Sequence, residues 1–348
     1  MNVSKRRAIA IAVIAAAVVT SVAVGQPAKQ SDPIQAALQN AYDKLKNLKE
    51  GSNADYIPVL AKVDPKLFGI ALVTVDGKVY TVGDVKTEVS IQSISKVFTM
   101  ALVFEEKGEA AVRDNIGVDS TGQVFNSITA IEEHKGQEMN PLVNAGAITT
   151  TSMVQGENEQ AIWNNIITAY DAYAGRKLAV NDEVYKSEAA TNERNQAIGM
   201  LMHAYGRIKT NPKQAVDLYT KQCSVNVNAV DLATMAATLA NGGKNPVTRR
   251  DVLESGLVPG VLAVMATAGL YDDSGQWLFA TGLPAKSGVG GGLIAVVPGK
   301  FGIAVISPPL DKAGNSVRGQ RAITQIAQTL HANPYAVEPT VPSAAQNP

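Results

Sequence analysis

The chain has one cysteine, three histidines and no net charge, and each shortage removes a class of function. Cys223 has no second cysteine to pair with, so an internal disulfide framework and any multi-cysteine metal or iron–sulfur site are excluded. It reads as a small buried residue rather than a nucleophile, because no histidine partner is evident. His134, His203 and His331 occupy unrelated contexts without the H-x-x-x-H spacing of a helix-borne zinc site, and His331 sits beside the C-terminal tail. No metal and no cofactor are expected. Lys+Arg (31) balances Asp+Glu (31), which leaves no field to hold a polyanion, so nucleic acid is not an expected partner.

What is present is ample apolar material. With 348 residues, 46% hydrophobic and 18% charged, the chain can bury a large core, and its length is compatible with two domains. Its tightest basic cluster, Lys5-Arg6-Arg7, precedes an apolar run from Ala8 to Val24 and then the small residues Ala23-Val24-Gly25. That is the order of a secretory signal over residues 1–25, with cleavage after Ala23 or Gly25. The run approaches membrane-spanning length, so an uncleaved anchor is the competing reading, and the paired arginines match twin-arginine export weakly. An exported location, periplasmic or secreted, is the expectation, with membrane contact only through this segment. At the other end, residues 333–348 are proline-rich and aperiodic and read as a solvated tail. The folded body is expected over 32–332, without internal repeats.

Within it, Phe68–Val75, Asp76-Gly77 and Lys78–Val82 form an Asp-Gly hairpin signal, and Leu293–Val297, Pro298-Gly299-Lys300 and Phe301–Ile306 form another. Hairpins imply antiparallel strands. Amphipathic stretches at Pro33–Lys46 and Arg318–Leu330 can cover a sheet face. Between the hairpins the period becomes helical: Lys96–Glu106, Gln160–Ala174, Glu193–Tyr205, Pro212–Gln222, Val230–Asn241 and Leu257–Thr267, with Gly175, Gly206 and Gly242 as stops. The spacing predicts an α+β fold. An antiparallel sheet from about 32–92 and 269–332 is flanked by helices and holds a large helical insert, about 93–268, with the active site at the seam.

Ser93 and Lys96, three residues apart, share one face of a helix, close enough for the amine to reach the hydroxyl. Val97, Phe98, Met100, Ala101, Leu102, Val103 and Phe104 then make that helix apolar nearly all round, so Lys96 is carried inward, where desolvation lowers its pKa. S-x-x-K is short and common by chance, and Ser90 or Ser93 alone also reads as a helix cap. Its weight comes from a second pattern: Lys286-Ser287-Gly288 stands before the second hairpin, where serine acyltransferases carry a K-T-G strand. Gly288, Gly290, Gly291 and Gly292 do not make a phosphate cradle, since a strand rather than a helix follows; they let backbone approach a substrate.

Four segments, Ala54–Pro58 (ADYIP), Ser90–Lys96 (SIQSISK), Asn140–Ile148 (NPLVNAGAI) and Lys286–Gly292 (KSGVGGG), closely resemble the serine-dependent glutaminases. The resemblance covers about residues 32–332. It implies the serine β-lactamase/D,D-peptidase-like fold and hydrolysis of L-glutamine to L-glutamate and ammonia through a γ-glutamyl-serine acyl-enzyme. Residue by residue it makes Ser93 the nucleophile and Lys96 its base. It places Tyr56, Gln92, Asn144, Glu188, Asn195, Tyr219 and Tyr271 on the substrate, with Tyr219 also in the catalytic set, and gives the Val289 N–H to the oxyanion hole opposite that of Ser93. A free amino acid needs an acceptor for its ammonium, as Glu188 offers, and uncharged donors for its carboxylate. The resemblance also implies a homodimer or homotetramer, usually intracellular, in contrast to the export signal. A penicillin-interacting D,D-peptidase or β-lactamase would share the fold, but Ser-Asp-Asn is missing between the two lysine motifs. A noncatalytic amino-acid-binding module is the other alternative, against which Ser93 and Lys96 are both intact.

Overall fold

A computed structural model describes residues 32–137 and 139–336. The proposed export segment, 1–25, lies outside the described residues, as does all but the start of the proline-rich tail. Seven strands occur among the described residues: β1 (Gly69–Thr74), β2 (Val79–Gly83), β3 (Val89–Ser90), β4 (Asn226–Val227), β5 (Ala285–Ser287), β6 (Gly292–Val297) and β7 (Phe301–Ile306). The main sheet is antiparallel throughout, in the order β2-β1-β7-β6-β5, and β3 pairs with β4 apart from it.

The central strands are continuous apolar runs because both faces of the sheet are covered. Successive side chains alternate between two cores. Ala71, Val73, Ile294, Val296, Ala304 and Ile306 face the helical insert. Ile70, Leu72, Leu293, Ala295, Val297, Ile303 and Val305 pack with Leu38 and Ala41 of the Pro33–Leu45 helix and Ala322, Ile323 and Ile326 of the Val317–Thr329 helix. Edge strand β2 is half-buried at Tyr80, Thr81 and Val82 and exposed at its ends.

Helices expected from period lie where the period placed them, including Ser95–Lys107, Glu159–Ala174, Pro212–Cys223 and Ala229–Ala240. Local chemistry sets their ends. Asn158 and Asn228 accept hydrogen bonds from the first-turn N–H groups, and Gly175 closes its helix in the left-handed region at φ 76°. Six further helices escape the sequence period: Pro58–Ala61, Glu109–Asn115, Ile128–His134, Asn144–Met153, Asp182–Ala189 and Ser274–Thr281. All are short, and Asn144–Met153 carries Gly146 and three consecutive threonines, poor helix formers. The Thr149, Thr150 and Thr151 hydroxyls each donate to the carbonyl four residues earlier at 2.8 Å, so these buried side chains are satisfied within the helix. Among the described residues no single helix is long and apolar enough to cross a membrane.

Candidate active site

Ser93 sits in a one-turn 3-10 helix, Gln92–Ile94, that runs directly into Ser95–Lys107. Pairing of β3 with β4, continued by the Ile91 N–H to the Val225 carbonyl at 2.8 Å, ties this turn to the end of the Tyr219-bearing helix. Gln92 has φ 49°, an uncommon conformation for a residue with a side chain, held here by packing on both sides.

The glycine-rich loop after β5 lies against the same turn. A Cβ at Gly288 would stand 2.8 Å from the Ile91 carbonyl oxygen, and one at Gly290 2.5 Å from that of Ser90, so only glycine allows this approach. Val289, between them, is held beside the Ser93 turn. No backbone acceptor among the described residues takes its N–H. That N–H is therefore free to serve an oxyanion.

Lys96 is buried at 1% exposure, and desolvation lowers its pKa to about 8, opposed by the nearby Cys223 and Glu188. Its Nζ donates to Asn144 Oδ1 at 2.7 Å and to the Leu142 carbonyl at 3.4 Å. The Tyr219 hydroxyl donates to the same Asn144 oxygen at 3.2 Å, and Asn144 Nδ2 donates to Asn195 Oδ1 at 2.9 Å. The Tyr271 hydroxyl lies beside Ser93 and donates to the Ser287 carbonyl at 3.3 Å. Tyr271 itself is buried, which pushes its pKa up to about 12.

Glu188 accepts from Gln92 Nε2 at 3.1 Å. Burial raises its pKa to about 7, countered by the Gln92 bond and the Lys96 charge. Tyr56 covers the group from outside. Half of the residue, 52%, is open to solvent, while its hydroxyl end is pushed up by burial beside Tyr271 and Glu188.

The ten residues singled out in the sequence thus gather in one cluster at the seam between sheet and helical insert. Apart from Tyr56 and the partly buried Asn195, every one is buried. Two features were not foreseen. Phe125 packs its ring on Tyr271, centroids 4.9 Å apart, and its carbonyl accepts the Asn144 N–H at 2.8 Å; it lies in an aperiodic stretch that gives no signal. Cys223, 3.8 Å from Ser95 Oγ, lines the back of the site, its pKa pushed up to about 12 by burial, consistent with an inert thiol. Among the described residues no cluster of His, Cys, Asp or Glu could hold a metal.

An antiparallel sheet covered by helices and interrupted by a large helical insert defines an α+β fold of the serine β-lactamase/D,D-peptidase type. The chain belongs to the glutaminase family, whose family model, described as Glutaminase, matches residues 51–335. It is similar to a glutaminase of Colwellia psychrerythraea, 55% identical over 304 residues, covering 87% of this chain and 98% of the relative. A glutaminase of Brucella canis is 49% identical, covering 90% and 99%. Among solved structures, a probable glutaminase, ybaS, superposes with a TM-score of 0.87 at 48% identity, covering 88% of this chain and 99% of that one. Mglu in its glutamate form superposes with a TM-score of 0.83 at 36% identity, covering 88% and 70%.

Proposed function

We propose that this chain hydrolyses the side-chain amide of L-glutamine to L-glutamate and ammonia through a γ-glutamyl ester on Ser93. The observation that carries the reading is the gathering of Ser93, Lys96, Tyr271 and Glu188, all buried, in one cluster. Family membership supports the substrate. The glutamate form of the relative Mglu supports a site that accepts an amino acid with a γ-carboxyl group.

Glu188 takes the substrate ammonium, and Gln92, Asn144, Asn195 and the tyrosine hydroxyls supply uncharged hydrogen bonds. A site of this kind rejects analogues that lack a partner, because its own buried groups would go unpaired. Ser93 Oγ attacks the amide carbon, and the hydroxyl proton passes to the neutral amine of Lys96, whose pKa of about 8 leaves that form accessible near neutrality. Tyr271, whose hydroxyl lies beside Ser93, aims the nucleophile. The N–H groups of Ser93 and Val289 stabilise the tetrahedral oxyanion. As the C–N bond breaks, Lys96 returns the proton to the leaving nitrogen and ammonia departs. Water then attacks the ester by the same route, giving its proton to Lys96 and thence to Ser93.

The reading includes export directed by residues 1–25 and assembly as a homodimer or homotetramer. N-terminal sequencing of protein recovered outside the cytoplasm tests the first, and light scattering of the purified protein the second. The test of activity is ammonia release by protein lacking residues 1–25, comparing glutamine with asparagine and glutamate. Release from glutamine that vanishes in Ser93→Ala supports the proposal. A Ser93→Ala variant as active as the parent overturns the acyl-enzyme.

A further inference from the structure

We propose that Lys286 is a positioning residue for Tyr271, aiming its phenol at Ser93 from beneath the ring; the assignment rests on the glutaminase reading above. Lys286 lies on β5 and is wholly buried. Its Nζ donates to the Gly269 carbonyl at 2.9 Å and the Ser287 carbonyl at 2.7 Å, and stands 4.0 Å from the centroid of the Tyr271 ring. Two carbonyls and one π face match the three N–H groups of a lysine side chain. Burial and the Lys96 charge pull the Lys286 pKa well below the ordinary lysine value, and these three acceptors offset that cost.

Each contact bears on Tyr271. Gly269 caps the Val258–Ala268 helix and leads into Leu270 and Tyr271, so the bond to its carbonyl fixes the turn that presents the tyrosine. That turn needs fixing, since Tyr271 has φ 58° and a side chain in the left-handed region persists only where its surroundings over-determine it. The Ser287 carbonyl is shared, accepting also from the Tyr271 hydroxyl at 3.3 Å. A phenol that spends its proton on the Ser287 carbonyl leaves its lone pairs for the adjacent Ser93 hydroxyl. Lys286 therefore acts without touching substrate: it orders the carbonyl that orders the phenol that orders the nucleophile.

A double-mutant cycle tests this, using Lys286→Met, Tyr271→Phe and the pair in protein lacking residues 1–25, with ammonia release as the readout. Wild-type activity on glutamine and its loss in Ser93→Ala are measured first, so that failure of the glutaminase reading shows separately. Lys286→Met is expected to lower kcat about 100-fold with KM changed less than about threefold. In the Tyr271→Phe background the same change is expected to cost less than about threefold, because the group it acts through is gone. Equal losses in both backgrounds, an unchanged kcat, or a loss confined to KM would each overturn the assignment. Lys286→Gln provides a neutral donor of different reach. If neither lysine variant folds while Tyr271→Phe does, Lys286 is a structural staple and the assignment is likewise overturned.

Discussion

On the helical wall of the site the groups proposed to carry the chemistry are side chains whose titration burial has moved toward neutrality, Lys96 to about 8 and Glu188 to about 7. The sheet wall is built from backbone: glycines 288 and 290 bring the loop within van der Waals contact of the Ser90–Gln92 segment, and Val289 presents an N–H. The contrast separates two ways of failing. Changes on the helical wall remove a proton carrier or a ligand while the fold persists, whereas changes on the sheet wall push the walls apart and harm both geometry and stability.

Ser93→Ala is the largest break on the helical side. It should lower kcat by about 10⁴-fold or more, the scale for removing a nucleophile, with the melting temperature unchanged. On the sheet side, Gly290→Ala adds a methyl group 2.5 Å from the Ser90 carbonyl oxygen. Displacement of the walls should cost about 10²-fold in kcat. Unlike Ser93→Ala, it should also lose roughly 1–3 kcal/mol of stability in denaturant titration. If Gly290→Ala melts like wild type, the contrast between the walls fails.

Smaller effects sharpen the comparison. Glu188→Gln removes a charge-assisted bond to the substrate ammonium and should raise KM by about 10- to 100-fold with a smaller change in kcat. Activity needs neutral Lys96 (about 8) and ionised Glu188 (about 7), so log kcat/KM should fall with a slope near two below pH 7, and Glu188→Gln should reduce that slope to one by leaving only the Lys96 limb.

Lys96→Met should abolish activity yet stabilise the fold. Burying the ammonium costs on the order of 3 kcal/mol, from a pKa lowered from 10.5 to about 8. Below pH 8 the folded chain carries that buried charge. Between 8 and 10.5 the unfolded chain binds more protons than the folded one, so wild-type stability rises with pH. The melting temperature of Lys96→Met should therefore exceed that of wild type at pH 7, and the gap should close toward pH 10.5. A destabilised Lys96→Met would show that the Asn144 oxygen needs the amine more than the interior resists it.

The part of this architecture legible in the sequence is the part written in short-range pattern. Strict apolar runs around Asp76-Gly77 and Pro298-Gly299 give the two hairpins, and the 3.6-residue period gives the long helices to within a residue or two. The Ser93–Lys96 spacing and the Lys286-Ser287-Gly288 segment are visible because one helical turn and one strand fix them. Glu188, Asn195 and Tyr271 are visible only through family resemblance, since no local spacing links them to Ser93. The helix carrying Asn144 stays hidden, because its threonines look like turn material until their hydroxyls bond back to the helix. The contact of Lys286 with Tyr271 depends on how β5 meets the end of a distant helix, and no pattern within a window of sequence encodes that.

Strand β1, in the first quarter of the chain, is zipped to β7 near the end, with Gly69 opposite Ile306. The middle of the sheet thus waits for almost the last portion synthesised, and neither hairpin can bury both its faces alone. A chain so arranged emerges from the ribosome unable to complete its core until translation is nearly over. That interval obliges the cell to shield long apolar strands in the meantime.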